Sequence, residues 1–316
     1  MLVPLTSRGE WEDACSAFPE ATAFHRYDFL ESVARPLRCM FAPLSVQFRG
    51  QPVGVAPLLV KQLGPFCTIN WVPFPYLGPL VPTPLIPATL TALRLEAKQR
   101  RALNHQQSFS RIATVGPASG FASCTERTFV VPLSERSDED LLAAMQKKRR
   151  EEIRRAQRAG FEVCPAETQD FRHVDVWLNH AYAVQGLSTG YGAGTCEQTF
   201  RALGKAPGSV FQAARLNGRT IGVAVTFATA QRAFGWQIAI DPLHRSGNPQ
   251  ALLTWCALLW ARDNGAVEFD LVGAPNEGIA IYKSRFGAVE RHYTVLHRQA
   301  GPHRAALSVL SRLTSI

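Results

Sequence analysis

No part of this sequence restricts the fold more than Arg219 to Leu296. It opens with RTIGVAVTFAT, where Ile221, Val223, Val225 and Phe227 alternate with Gly222, Ala224, Thr226 and Ala228. That is the period of a strand, with one face small enough to let a helix or ligand lie close. AFGWQIAID is a second strand with Phe234, Trp236, Ile238 and Ile240 on one side. A break at Gly247, Asn248 and Pro249 leads into QALLTWCALLWARDNG, apolar at helical spacing. VEFDLVG is a short strand, and EGIAIYKSRFGAVERHYTVL reads as a helix and a closing strand. Strand, strand, helix, strand, helix, strand with short connections is an α/β layout on one sheet.

The 316 residues suffice for one large domain or two ordinary ones. Ahead of the organising stretch, EWEDACSAF and TAFHRYDFLESVA have helical periodicity, with His25 and Arg26 read as surface residues. FAPLSVQF and PVGVAPLLV flank Arg49, Gly50 and Gln51, a hairpin signal. The run WVPFPYLGPLVPTPLIP is too rich in proline for helix or sheet. Its Trp71, Phe74 and Tyr76 form either the wall of a ligand groove or an apolar cover over a sheet edge. A helix over about 88–106 and strands at RIATVG and ERTFVVPL complete a first domain, 1–133, leaving 134–316 as the second.

Ser137 is placed to cap a helix beginning Asp138, Glu139, Asp140 and running to Gly160. It carries Lys147, Lys148, Arg149, Arg150, Arg154, Arg155 and Arg158, offset only by Glu151 and Glu152. This is either a phosphate clamp or a solvated linker helix. Further on, SVFQAARLNG and RTIGVAVTFAT meet at Asn217 and Gly218, a strong turn signal. GLSTGYGAGT is a flexible substrate loop around Tyr191 and matches neither a Walker nor a Rossmann glycine pattern. Glu268 and Asp270 alternate on one strand face, where acids are ordinarily surface residues. In GIAIYKSRFG, Tyr282 shares a helical face with Ile279 and Phe286, and Lys283 lies beside it. That lysine either snorkels at the surface or places its charge on a developing oxyanion or a phosphate.

The formal charge of +9 suits an anionic small molecule, a phosphorylated precursor, RNA or a membrane surface. No DNA-binding motif accompanies the charge, so no DNA partner is expected. No run of 18 apolar residues marks a transmembrane segment, and the N-terminus does not read as a signal peptide. The seven dispersed cysteines show no zinc-ligand spacing and suit a reducing, cytoplasmic compartment. None has a partner histidine at diagnostic spacing, so a covalent acyl-enzyme is not expected.

Taken together, KKRREEIRRAQRAGFEV, GNPQALLTWCALLWARDNGAVEFDLVG and GIAIYKSRFGAVERHY resemble the Fem-type peptidoglycan aminoacyltransferases and the BioF2-like acetyltransferase class. HRYDFLESV and PYLGP extend the resemblance into the first half. It implies a tandem GNAT-like α/β fold in its compact form, without a coiled-coil insertion. It implies transfer of an activated carboxyl group to an amine of a cell-envelope precursor or small metabolite. No tightly bound cofactor or metal is implied; the co-substrate is aminoacyl-tRNA or acyl-CoA. Tyr282 and Lys283 match the family's aromatic–lysine pair, with Tyr in place of Phe, and are the catalytic candidates. Arg150, Arg154 and Arg155 fall on its basic helix and join Tyr76 and Tyr191 as substrate-binding candidates. Arg245, Gly247 and Asn248 stand where a GNAT protein holds the CoA pyrophosphate, although HRSGNPQALL departs from the Gln/Arg-x-x-Gly-x-Gly/Ala pattern. Alternatives to the aminoacyl reading are an acyl-CoA-dependent N-acyltransferase on an amino sugar or small amine, a non-catalytic binding protein, and RNA binding without chemistry. No dedicated base is evident in the sequence.

Overall fold

Two tight turns with paired left-handed residues set the sheet registers. Arg49 and Gly50 (φ 52° and 78°) join β2 (Met40–Phe48) to β3 (Gln51–Leu63). Asn217 and Gly218 (φ 50° and 74°) join β8 (Ser209–Leu216) to β9 (Arg219–Ala228). Positive φ at both central residues gives the turn twist that antiparallel strands accept, as the sequence predicts. The computed structural model describes residues 1–111 and 120–300, so most of the strand expected at RIATVG lies outside the described residues. By contacts the chain divides into Met1–Thr125 with Tyr293–Ile316, called unit 1, and Glu126–His292, called unit 2. The sequence-based boundary at 133/134 differs in assigning the C-terminal strand to the second domain.

Unit 1 contains β1 (Leu2–Pro4), α1 (Arg8–Ser16), α2 (Tyr27–Ala34), β2, β3, β4 (Phe66–Ile69), α3 (Ile86–Gln99) and β5 (Ala102–Ser108). The helix expected to reach residue 106 stops at Gln99. Arg101 turns the chain at φ 55°, and Ala102–Ser108 enters the sheet between β4 and the last strand. The hydrogen-bonding slot in the sheet overrides the weak strand propensity of ALNHQQS. Pairing runs β1-β2-β3-β4-β5-β12, antiparallel except for the parallel β4–β5 pair joined through α3; in β12 (Val289–Gln299), residues from Val295 onward pair with β5. Leu58, Ile69, Leu90, Leu93 and Leu296 form its core. His25 is buried, not on the surface: Thr22 donates to Nδ1 (2.9 Å) and Nε2–H donates to Gly78 O (3.0 Å). Burial lowers its pKa to about 4 against the effect of that carbonyl, so the ring is neutral.

Unit 2 repeats this plan. From β6 (Ala122–Pro132), the chain passes through α4 (Asp138–Ala144), α5 (Lys147–Arg158), β7 (Glu162–Pro165), α6 (Val174–Ala183) and α7 (Thr195–Leu203). It continues through β8, β9, β10 (Arg232–Ile240), α8 (Pro249–Asp263), β11 (Glu268–Gly273) and α9 (Glu277–Ser284). Pairing runs β7-β8-β9-β10-β11-β6, antiparallel except for the parallel β10–β11 pair joined through α8. The apolar faces of α5 and α8 close over this sheet through Ile153, Ala156, Leu253 and Leu258. The single helix expected from Asp138 to Gly160 is two. Ser137 and Asp140 form the capping box, but Met145 is extended (ψ 150°) and buried, and the chain restarts as α5. No helix among the described residues is long and apolar enough to cross a membrane.

Candidate active site

The site begins where two parallel strands part. β10 and β11 pair at only three positions, Arg232↔Glu268, Ala233↔Phe269 and Phe234↔Asp270. Beyond them β10 bulges at Gly235–Gln237 and follows β9 to Ile240, while β11 follows β6. Buried charge clamps the base of the fork. Arg232 pairs with Glu268 (2.6 Å) and Asp270 (3.5 Å), and Asp270 accepts from the Thr128 hydroxyl (2.5 Å). Asp270 is therefore a fully buried structural acid and not the surface residue its alternation with Glu268 suggests. An open cavity of about 700 Å³ lies above the fork, between Trp236, Gln237 and Ile240 of β10 and Leu271 and Gly273 of β11. Its size is that of a small-molecule site.

Lys283 stands on this wall. Its ammonium donates to three main-chain carbonyls, Leu271 (2.6 Å), Val272 (3.0 Å) and Gly273 (2.6 Å). An ammonium has three N–H donors, so the set is complete. The lysine thus supplies β11 with hydrogen bonds just where the strand leaves β10. It also holds Val272 in the left-handed region (φ 55°), which a β-branched residue rarely adopts, while Asp270 accepts from the Val272 N–H (2.7 Å). Burial lowers the Lys283 pKa to about 8, with the Asp270 charge opposing the fall.

The second wall comes from α5. Arg149, 2% exposed, occupies the inward face with Ile153 and Ala156. Its guanidinium lies over the rings of Tyr282 (4.0 Å) and Phe286 (4.3 Å), donates to the Tyr282 carbonyl (2.9 Å), and pairs with Glu152 (2.5 Å). Arg149, Glu152, Tyr282 and Lys283 all line the cavity, together with Arg245, Asn248 and Arg285. Burial pushes the Tyr282 hydroxyl up to about 12 against the nearby Arg149 charge, so it stays protonated at neutral pH.

The other predicted residues are dispersed. Tyr191 packs edge-on against the cavity-lining Trp236 (5.8 Å between centroids), and burial raises its hydroxyl pKa well above the ordinary value. Arg150 donates to the carbonyls of Leu142, Ala143 and Met145, closing the C-terminus of α4. Arg154 and Arg155 lie exposed on the outer face of α5. Gly247 is packed against Phe161: a Cβ there would lie 2.4 Å from its ring. Three amides around it are engaged, Leu243 N with the Asp241 side chain, His244 N with Asp241 O and Asn248 N with Arg245 O, and Pro249 has none. Tyr76 is fully buried in unit 1, against Phe24 (6.2 Å) and Tyr293 (4.9 Å), and lines no groove. Arg149, Glu152, Gln237 and Arg285 were not among the sequence candidates. Arg149 had a signal: it is a cation four and seven residues before Ile153 and Ala156, in an inward-facing position.

Residues 144–284, which contain α5, the fork, Lys283 and the cavity lining apart from Arg285, match the model of the acetyltransferase (GNAT) domain. The crystal structure of FemX aligns over 93% of this chain and 96% of its own, at a TM-score of 0.69 and 13% identity. A tandem GNAT protein from the clavulanic acid biosynthesis pathway aligns over 96% and 99%, at 0.60 and 16%. The architecture is tandem GNAT-like. L-PGS from Bacillus licheniformis shares it over 97% and 96% of the two chains, at 0.58 and 14%. No curated protein sequence matches the chain.

Proposed function

We propose that the cavity of unit 2 transfers an activated carboxyl group to an amine. The carrying observation is the fork: a parallel pair that parts after three positions and opens a cavity lined by Lys283, Arg149, Arg245 and Arg285. Aminolysis needs a carbonyl and an amine held together, with positive charge near the developing oxyanion. The diverged edge of β10 supports positioning of an extended donor, and the cations support binding of its anionic part. Lys283 contributes by fixing the β11 edge and by its charge, because its three hydrogens are already engaged. An oxyanion would have to displace one of its carbonyls. Tyr282, protonated and stacked on Arg149, is the positioning partner of that wall.

We favour an aminoacyl ester, aminoacyl-tRNA, as donor and an amine of a cell-envelope precursor or small metabolite as acceptor. The resemblance to Fem-type enzymes supports this, and so do the engaged amides of Leu243, His244 and Asn248, which are withdrawn from a pyrophosphate cradle. The exposed arginines of α5, Arg154 and Arg155, suit a polyanionic donor. The second reading is acyl-CoA-dependent N-acylation, favoured by the match to the acetyltransferase (GNAT) domain and by Arg245 and Asn248 at the start of α8. Titration with charged tRNA, uncharged tRNA and CoA at moderate salt decides between them. Binding of charged tRNA with amino-acid release to an amine supports the first. Saturable CoA binding that is lost in Arg245→Ala supports the second. If none of the three binds, the acyl-transfer reading fails.

A further inference from the structure

The cavity lining is cationic with one exception. Arg149, Arg245, Lys283 and Arg285 carry positive charge, and among the described lining residues Glu152 is the single acid. It is not a loose surface carboxylate. Its Oε2 accepts from Nη1 of Arg149 at 2.5 Å, and Arg149 is itself 2% exposed, stacked on Tyr282 and Phe286 and bonded to the Tyr282 carbonyl. A carboxylate held by a buried guanidinium that packs against two aromatic rings has its position fixed by α9 as well as by its own helix. Among the described residues only Oε2 has a hydrogen-bond partner, which leaves Oε1 of this cavity-lining residue for a donor from a ligand. One carboxylate beside several cations cannot serve to bind anions. It suits a ligand that carries a positive group at one end and negative charge at the other.

We propose that Glu152 anchors a substrate ammonium group through Oε1, with Arg149 as the residue that positions it. The inference rests on the acyl-transfer reading of the cavity and deepens it by naming an amine-recognition point. Two sources carry that chemistry, the α-ammonium of an aminoacyl donor and the ammonium of the acceptor before it is deprotonated for attack.

Binding, which needs no turnover, tests it with two matched pairs. For the donor the pair is 3′-deoxy-3′-(alanylamino)adenosine and its propionylamino analogue, which lacks the ammonium. For the acceptor it is glucosamine 1-phosphate and glucose 1-phosphate. The wild-type chain should prefer the amino member of one pair by about tenfold, the scale of one hydrogen bond to a charged group. Glu152→Gln should abolish that preference while binding the ammonium-free member as before. The pair that shows the preference names the source. Equal binding of both members by the wild-type chain overturns the proposal, and so does a preference that survives Glu152→Gln. Should that variant not fold, Glu152→Asp, which keeps the charge but shortens the reach, should retain a reduced preference; an unchanged one counts against the assignment. If no member of either pair binds, acyl transfer in this cavity fails together with the anchor. Tight but indiscriminate binding removes the anchor alone.

Discussion

The two units share one plan and differ in how they treat the fork. In each, three antiparallel pairings lead to a parallel pair with a helical crossover and then a further antiparallel partner. In unit 1 the slot vacated where β4 ends at Ile69 is refilled by the proline-rich segment. Leu80 bridges to Val55 of β3, Leu77 N donates to the Ser108 hydroxyl at the end of β5 (3.0 Å), and Gly78 packs so close to Ser108 O that a Cβ would lie 2.7 Å away. The cavity left there, beside His25 and Gly78, is about 20 Å³, room for little more than a water. In unit 2 no segment among the described residues refills the fork, a lysine takes up the freed carbonyls, and about 700 Å³ remains open. The same topology makes a filled core or an open cavity depending on whether backbone or side-chain charge satisfies the parted strands.

The sharpest way to break this comparison is Lys283→Met. Three carbonyls lose their donor at once, and we expect about 3 kcal/mol less stability in denaturant unfolding and no measurable transfer. Retained transfer at wild-type rate would make the lysine dispensable to the open fork. Filling the cavity should convert unit 2 toward unit 1. Ala257→Phe, from the α8 wall, should cut ligand affinity more than tenfold, with about 1–3 kcal/mol of overpacking cost read by thermal melting. Arg149→Lys keeps charge but loses the planar fork over Tyr282 and Phe286. It should cost about 2 kcal/mol and raise KM more than it lowers kcat, measured by unfolding and steady-state kinetics.

Acidity gives a smaller effect. The folded lysine pKa of about 8 lies below the ordinary 10.5, so between these values the unfolded chain binds more protons. Stability should therefore rise with pH from about 8 to about 10.5 relative to Lys283→Met and run parallel to it below 8, followed as unfolding midpoints across that range. The smallest effect belongs to the exposed arginines. Arg154→Ala and Arg155→Ala should each change stability by less than about 0.5 kcal/mol. If they face a polyanion, each should reduce the salt slope of tRNA binding by about one.

Much of this was legible in the sequence because it depends on local chemistry. The turns at Arg49–Gly50 and Asn217–Gly218, the Ser137 cap and the alternation in β9 are each set by a few adjacent residues. The order of elements from Arg219 to Leu296 followed from their periods. Tyr282 and Lys283 were visible through family resemblance, and the cavity does contain them. What misled was equally physical. Phe74 and Tyr76 in a proline-rich run look like a groove wall, yet they fill a core, because burial depends on what packs opposite. ALNHQQS has little strand propensity and becomes a strand because the sheet offers it partners. The basic helix offers Arg149 and Arg150 alike, and one residue of helical phase separates a cavity wall from a carbonyl cap.

The amino-acid sequence by itself determined the succession of strands and helices, the tight turns, the capped start of α4 and the positive charge that suits an anionic partner. These need only neighbours in the chain. Tertiary structure alone decided that β10 and β11 part after Phe234 and Asp270, that Lys283 satisfies the carbonyls this exposes, and that Arg149 holds Glu152 at the cavity. Each of those depends on which backbone groups lack a partner once distant segments have packed, and a buried polar group takes whatever donor or acceptor the fold brings within reach.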